Sequence, residues 1–107
     1  MTGPLDVLAI MAHPDDAELL CGGALAKSAE AGERVGIVHL TAGEMGSQGT
    51  PQLREREAAA AAAVLGVTLR RCAGFPDSRL VNDEPTRLAV VALLRELVDS
   101  PNALLRR

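Results

Sequence analysis

Three short aliphatic runs constrain what this chain can fold into: LDVLAIM at 5–11, RVGIVHL at 34–40 and VTLRRCA at 67–73. The first is almost continuously apolar, as in a strand buried on both faces of a parallel sheet, and the second is rich in β-branched residues. A stretch with helical spacing follows each run. The first helix is predicted over 17–31, with Gly32 as its stop. The second is predicted over 51–65, capped by Thr50, with Pro51 at the first helical position and Gly66 beyond its end. The six alanines at 58–63 read as packing inside this helix, since Ala is the best helix former. A turn-rich loop at 74–85 leads to a third helix over 86–98. The order β-α-β-α-β-α predicts one α/β domain over 1–107, with a Rossmann-like, doubly wound parallel sheet.

Charge and composition exclude several function classes. Eleven basic and 14 acidic side chains leave a net charge of −3, and Phe75 is the only aromatic residue. This balance argues against a general nucleic-acid binder, which usually carries a basic face, and with no Trp or Tyr base-stacking platforms are nearly excluded. MTGPLD at the start has neither a basic n-region nor a long apolar h-region. The longest uninterrupted apolar stretch, 58–65, is far short of the roughly 20 residues that span a bilayer. Cys21 and Cys72 are expected as free thiols in a reducing cytoplasm, each acting as a small buried apolar residue. The expectation is a cytoplasmic protein with no nucleic-acid or membrane partner.

Doubly wound sheets bind ligands beyond the carboxyl ends of their strands. Three loops, 12–16, 41–50 and 74–79, leave those ends and should converge on one rim. The first, within AHPDDAELLCGG at 12–23, is not a phosphate cradle. It lacks the G-x-G-x-x-G pattern, and Asp15, Asp16 and Glu18 would repel a pyrophosphate. Gly22 and Gly23 lie a turn or more into the helix and are expected to allow close packing.

The same residues suit a divalent cation, because imidazole and carboxylate are usual ligands of catalytic zinc. Two adjacent carboxylates in a tight turn do not easily serve one metal. One is therefore expected to ligate while its neighbour faces the bound water and takes its proton. A structural alternative stands beside this reading: His13 and Asp16 cap the helix that begins at Ala17.

Three segments carry a resemblance: AHPDDAELLCGGALAK at 12–27, HLTAGEMGSQGTPQLREREAAAAAAVLG at 39–66 and GFPDSRL at 74–80. In order and spacing they resemble the zinc-dependent N-deacetylases of the LmbE/PIG-L family. Within it, the likeness is to the bacterial branch acting on N-acetylglucosamine conjugates, including bacillithiol-pathway deacetylases. The resemblance spans residues 5–98. It implies that His13 and Asp16 ligate zinc and that Asp15 is the general base. It also implies that Arg54 reaches the substrate, Asp77 lines the sugar site and Glu44 flanks the pocket. The implied partner is a small N-acetylglucosaminyl molecule, and the full-length family is expected to form homo-oligomers. Plainer readings exist for two of these residues. Arg54 and Glu57 could form an exposed i, i+3 pair, and Asp77 could be a turn residue after Pro76.

His39, near the end of the second strand, matches a family position that is not a ligand and is expected as a partly buried strand histidine. The resemblance also implies a third zinc ligand, a histidine from a later H-P-D-H-like stretch. The chain has only His13 and His39, so these 107 residues are expected to hold an incomplete site that binds zinc weakly. A fourth strand would normally pair beside the first, and without it the strand at 5–11 is an apolar edge. A catalytically silent Rossmann-like fragment is the alternative to an enzyme.

Overall fold

The computed structural model describes residues 4–43 and 49–98. Its elements are β1 (Val7–Met11), α1 (Asp16–Glu30), β2 (Val35–His39), α2 (Pro51–Leu65), β3 (Leu69–Cys72) and α3 (Glu84–Leu97). The strands are all parallel, in the order β1-β2-β3. This is the predicted alternating α/β, Rossmann-like arrangement.

Alternation along the central strand places one helix layer on each face. All five residues of β2 are buried. Val35 and Ile37 join Ala9 of β1 and Ala17 and Leu25 of α1 in one apolar cluster. Val38 joins Leu5 and Leu97 in another, with Leu93 of α3 packed against it. So α1 covers one face, with α2 beside it, and α3 covers the opposite face. Burying a Val such as Val35 contributes about 1.5–3 kcal/mol. Gly36 shows how tight the α3 side is, since a Cβ there would run into Leu5 Cδ1. A glycine inside a strand marks this kind of close approach.

The second helix matches its predicted bounds because both ends carry strong local chemistry. Thr50 Oγ1 accepts the Leu53 N–H at 3.0 Å. At the other end Gly66 adopts φ 82°, the Gly66 N–H donates to Ala63 O, and the Val67 N–H donates to Ala62 O at 2.9 Å. This pair of bonds is a Schellman stop. Within the alanine run, Ala58 and Ala62 are buried one turn apart, so the run presents a single packed ridge.

Several expectations need correction. The first helix starts at Asp16, and its dihedrals break at Cys21, with φ −143° and ψ 21°. A Cβ at Gly22 would make only ordinary contact with Leu65, and one at Gly23 would meet nothing within 4 Å. Gly22 is buried and faces Leu65 with room for a Cβ, whereas Gly23 packs against nothing, so close packing does not require either glycine. α3 begins two residues early because Asp83 Oδ1 caps it, accepting the Thr86 N–H at 3.0 Å. Neither thiol is fully buried: Cys21 is half-buried, and Cys72 is exposed at the end of edge strand β3. β1 forms the other edge of the described sheet. No helix among the described residues is long and apolar enough to cross a membrane.

Candidate metal and catalytic site

The three strands end flush, with Met11 paired to His39 and His39 to Cys72. The loops that follow are stitched to one another. The Thr41 N–H and Oγ1 both donate to Ala12 O, at 2.9 and 3.0 Å. The Ala73 N–H donates to His39 O and the Phe75 N–H to Leu40 O, each at 2.9 Å. Thr41 is fully buried and its oxygen also accepts the Gly43 N–H. Sequence reasoning missed this clamp. Its only signal was a hydroxyl residue followed by small ones where the strand ends.

His13, Asp15 and Asp16 occupy the turn between β1 and α1. The Asp16 carboxylate accepts the His13 backbone N–H at 3.1 Å, and its Oδ2 lies 3.6 Å from His13 Nδ1. Asp16 is thus the first residue of the helix and braces the turn; it does not cap a helix at Ala17. Asp15 precedes it in a left-handed conformation, φ 82°, and its side chain makes no capping hydrogen bond. Aspartate tolerates this conformation better than most residues. The bond from the Leu19 N–H to Asp15 O, 3.0 Å, helps hold it there. Strained non-glycine backbone of this kind concentrates at functional sites.

Asp77 arrives from the far loop. Its Oδ1 lies 2.7 Å from His13 Nε2 and also accepts the Ser78 N–H at 2.9 Å. The residue is only 7% exposed. The resemblance places it at the sugar; the structure shows its carboxylate bonded to the imidazole edge of His13. Arg54 is half-buried in the first turn of α2, at the end of the second rim loop. Glu44 lies outside the described residues. A cavity of about 310 Å³ opens between β3 and α3, but none of the predicted site residues lines it.

The donors suit part of a zinc site. Bonds of 2.0–2.2 Å put two tetrahedral ligands about 3.4 Å apart. The observed 3.6 Å between His13 Nδ1 and Asp16 Oδ2 is close to that spacing. Among the described residues no group of three His, Cys, Asp or Glu side chains gathers as a metal cage. Among the described residues, the pair that converges at this spacing is His13 and Asp16.

His39 is more buried than expected, at 4% exposure. Burial, and secondarily the Arg70 cation, lower its pKa below 6.5, while Glu55 opposes them. Arg70 is itself held by Glu55 in a two-bond pair at 2.9 and 3.0 Å. A depressed histidine pKa means that the unfolded chain takes up the proton first. This contribution to stability is whole above pH 6.5 and is lost as pH falls through the folded value. Urea unfolding followed from pH 8 to 5 should show that decline. His39→Gln should flatten it.

Comparison with known proteins places the chain in a family. Residues 8–105 match the family model described as PIG-L, GlcNAc-PI de-N-acetylase. A relative from Actinosynnema mirum, named 1D-myo-inositol 2-acetamido-2-deoxy-alpha-D-glucopyranoside deacetylase, is 39% identical over 88 residues. That alignment takes in 69% of this chain and 31% of the relative, so the chain spans about a third of that relative's length. Among solved structures, the conserved protein TT1542 from Thermus thermophilus superposes with TM-score 0.83 at 48% identity, over 86% of this chain and 42% of that one. N,N'-diacetylchitobiose deacetylase from Pyrococcus horikoshii gives 0.77 at 29%, over 84% and 36%. The same fold carries other chemistry in the 4-carboxy-2-hydroxymuconate hydratase GalB from Pseudomonas putida, with TM-score 0.70 at 28% identity, over 85% and 42%. With the family model matching nearly the whole chain, this protein belongs to the PIG-L family.

Proposed function

We propose that this protein is a zinc-dependent hydrolase that removes the N-acetyl group from an N-acetylglucosaminyl small molecule. One observation carries the reading: His13 Nδ1 and Asp16 Oδ2 converge to 3.6 Å, and the uncapped carboxylate of Asp15 leaves the same turn. His13 and Asp16 would hold the metal. Zinc, when bound, supplies Lewis acidity at an amide carbonyl and acidifies water. Asp15 takes the proton of the attacking water and passes it to the leaving amine. Arg54 offers its guanidinium to the sugar from the start of α2.

The 2-acetamido sugar is the common element of the substrate class. The bacterial relative is named for an inositol conjugate, and the resemblance points to a bacillithiol-precursor type, so both aglycones belong in the assay. Acetate release that is lost on chelation and restored by zinc is the expected result. Release that persists without metal, or no release from either conjugate, would sink the reading. Acetate as the product also separates amide hydrolysis from hydration.

A second reading, binding without turnover, is favoured by the two-donor count among the described residues. Zinc binding with no acetate release would select it.

A further inference from the structure

We infer that Asp77 is a positioning residue for His13, fixing which imidazole nitrogen is offered to a metal. The inference deepens the proposed function and rests on that reading for the metal's role. Its basis is the 2.7 Å contact between His13 Nε2 and Asp77 Oδ1, which joins residues 64 positions apart. An ionised carboxylate has only acceptors, so the short contact requires the hydrogen to sit on Nε2. The lone pair is then on Nδ1, the nitrogen that faces Asp16 Oδ2. A neutral imidazole without that partner can carry its hydrogen on either nitrogen, and a hydrogen on Nδ1 blocks the donor position.

The carboxylate is itself held in place. Its side chain is 6% exposed and its Oδ1 accepts the Ser78 N–H. The loop that carries it is tied back to β2 through the Phe75 N–H and Leu40 O. Buried, doubly hydrogen-bonded and anchored to the sheet, Asp77 has the surroundings of an orienting group. A flexible contact to a diffusing sugar would not need them. Carboxylates in this role hold a ligating histidine in one tautomer and ring orientation, and their loss typically weakens metal binding 10–100-fold.

The test compares the protein with its Asp77→Ala and Asp77→Asn variants. Nitrogen-15 correlation spectra of His13, at one pH above the histidine range and without metal, report where the hydrogen sits. Competition with a chelator reports affinity for zinc alone. The parent should show the Nε2–H form. Asp77→Ala should give a mixture and bind zinc about 10–100-fold more weakly. Asp77→Asn, of the same shape, guards against a folding defect in the alanine variant and should weaken zinc binding about tenfold or more. An unchanged His13 pattern with zinc affinity within twofold in both variants would overturn the inference. So would a rise in KM alone, which would return Asp77 to the sugar. Absence of acetate release from the parent sinks the proposed function only, because the nitrogen-15 pattern and the zinc affinity do not depend on turnover.

Discussion

Asp15→Asn is expected to lower kcat for acetate release about 10²–10⁴-fold, the usual contribution of a general base. Asparagine is a sharp probe here for a backbone reason. Asp15 sits at φ 82°, a region that Asn occupies as readily as Asp, so the fold tolerates the change. Asp15→Ala would lose the proton acceptor and strain the turn together, blurring the cause. Asn keeps the turn and removes only the basicity. Zinc affinity should stay within a few-fold of the parent, since His13 and Asp16 are the proposed ligands. A kcat within fivefold of the parent would remove Asp15 from the chemistry.

Gly66→Ala should destabilise the fold by about 2–4 kcal/mol, combining a left-handed backbone penalty of about 1–2 with an overpacking cost of similar size. Both sources are visible. The residue is at φ 82°, and an added Cβ would lie 2.9 Å from the Ala29 Cβ. Neither atom can swing away, because Ala29 belongs to α1 and Gly66 ends α2. The melting temperature should fall by on the order of 10 °C for a domain of this size. Gly32→Ala supplies the control. Gly32 also has positive φ, 89°, but nothing lies within 4 Å of its would-be Cβ. It should lose only the backbone share, about 1–2 kcal/mol. Equal losses in the two variants would show that the Ala29 contact carries no weight.

The fold was legible wherever the chain states its structure locally. Thr50 with Pro51, and Gly66 at the far end, bound α2 without help from the rest of the molecule. Aliphatic runs placed the strands, though their ends moved inward by one or two residues: Leu5 packs beneath the sheet without joining a strand. The bend at Cys21 was hidden, because the residues on either side still space like a helix. The early start of α3 was missed because Pro85 reads as a breaker until Asp83 is recognised as the cap.

The site divides in the same way. His13, Asp15 and Asp16 lie within four positions, so their association could be read directly. The bond between His13 and Asp77 spans 64 positions and depends on how a loop folds back, which no local pattern encodes. The buried setting of His39 was half-legible: strand position suggested it, but the Arg70–Glu55 pair beside it is tertiary.

The stitched rim has a consequence for how binding energy is shared. The loop after β1 is bonded to Thr41 and to Asp77, and the loop after β3 to Leu40, so the described parts of the rim are cross-linked. Native proteins loosen in cooperative units, and a cross-linked rim is expected to behave as one. A ligand that favours the closed rim stabilises all of it by mass action, including residues it never touches. A metal held at His13 is thereby expected to protect the exits of all three strands.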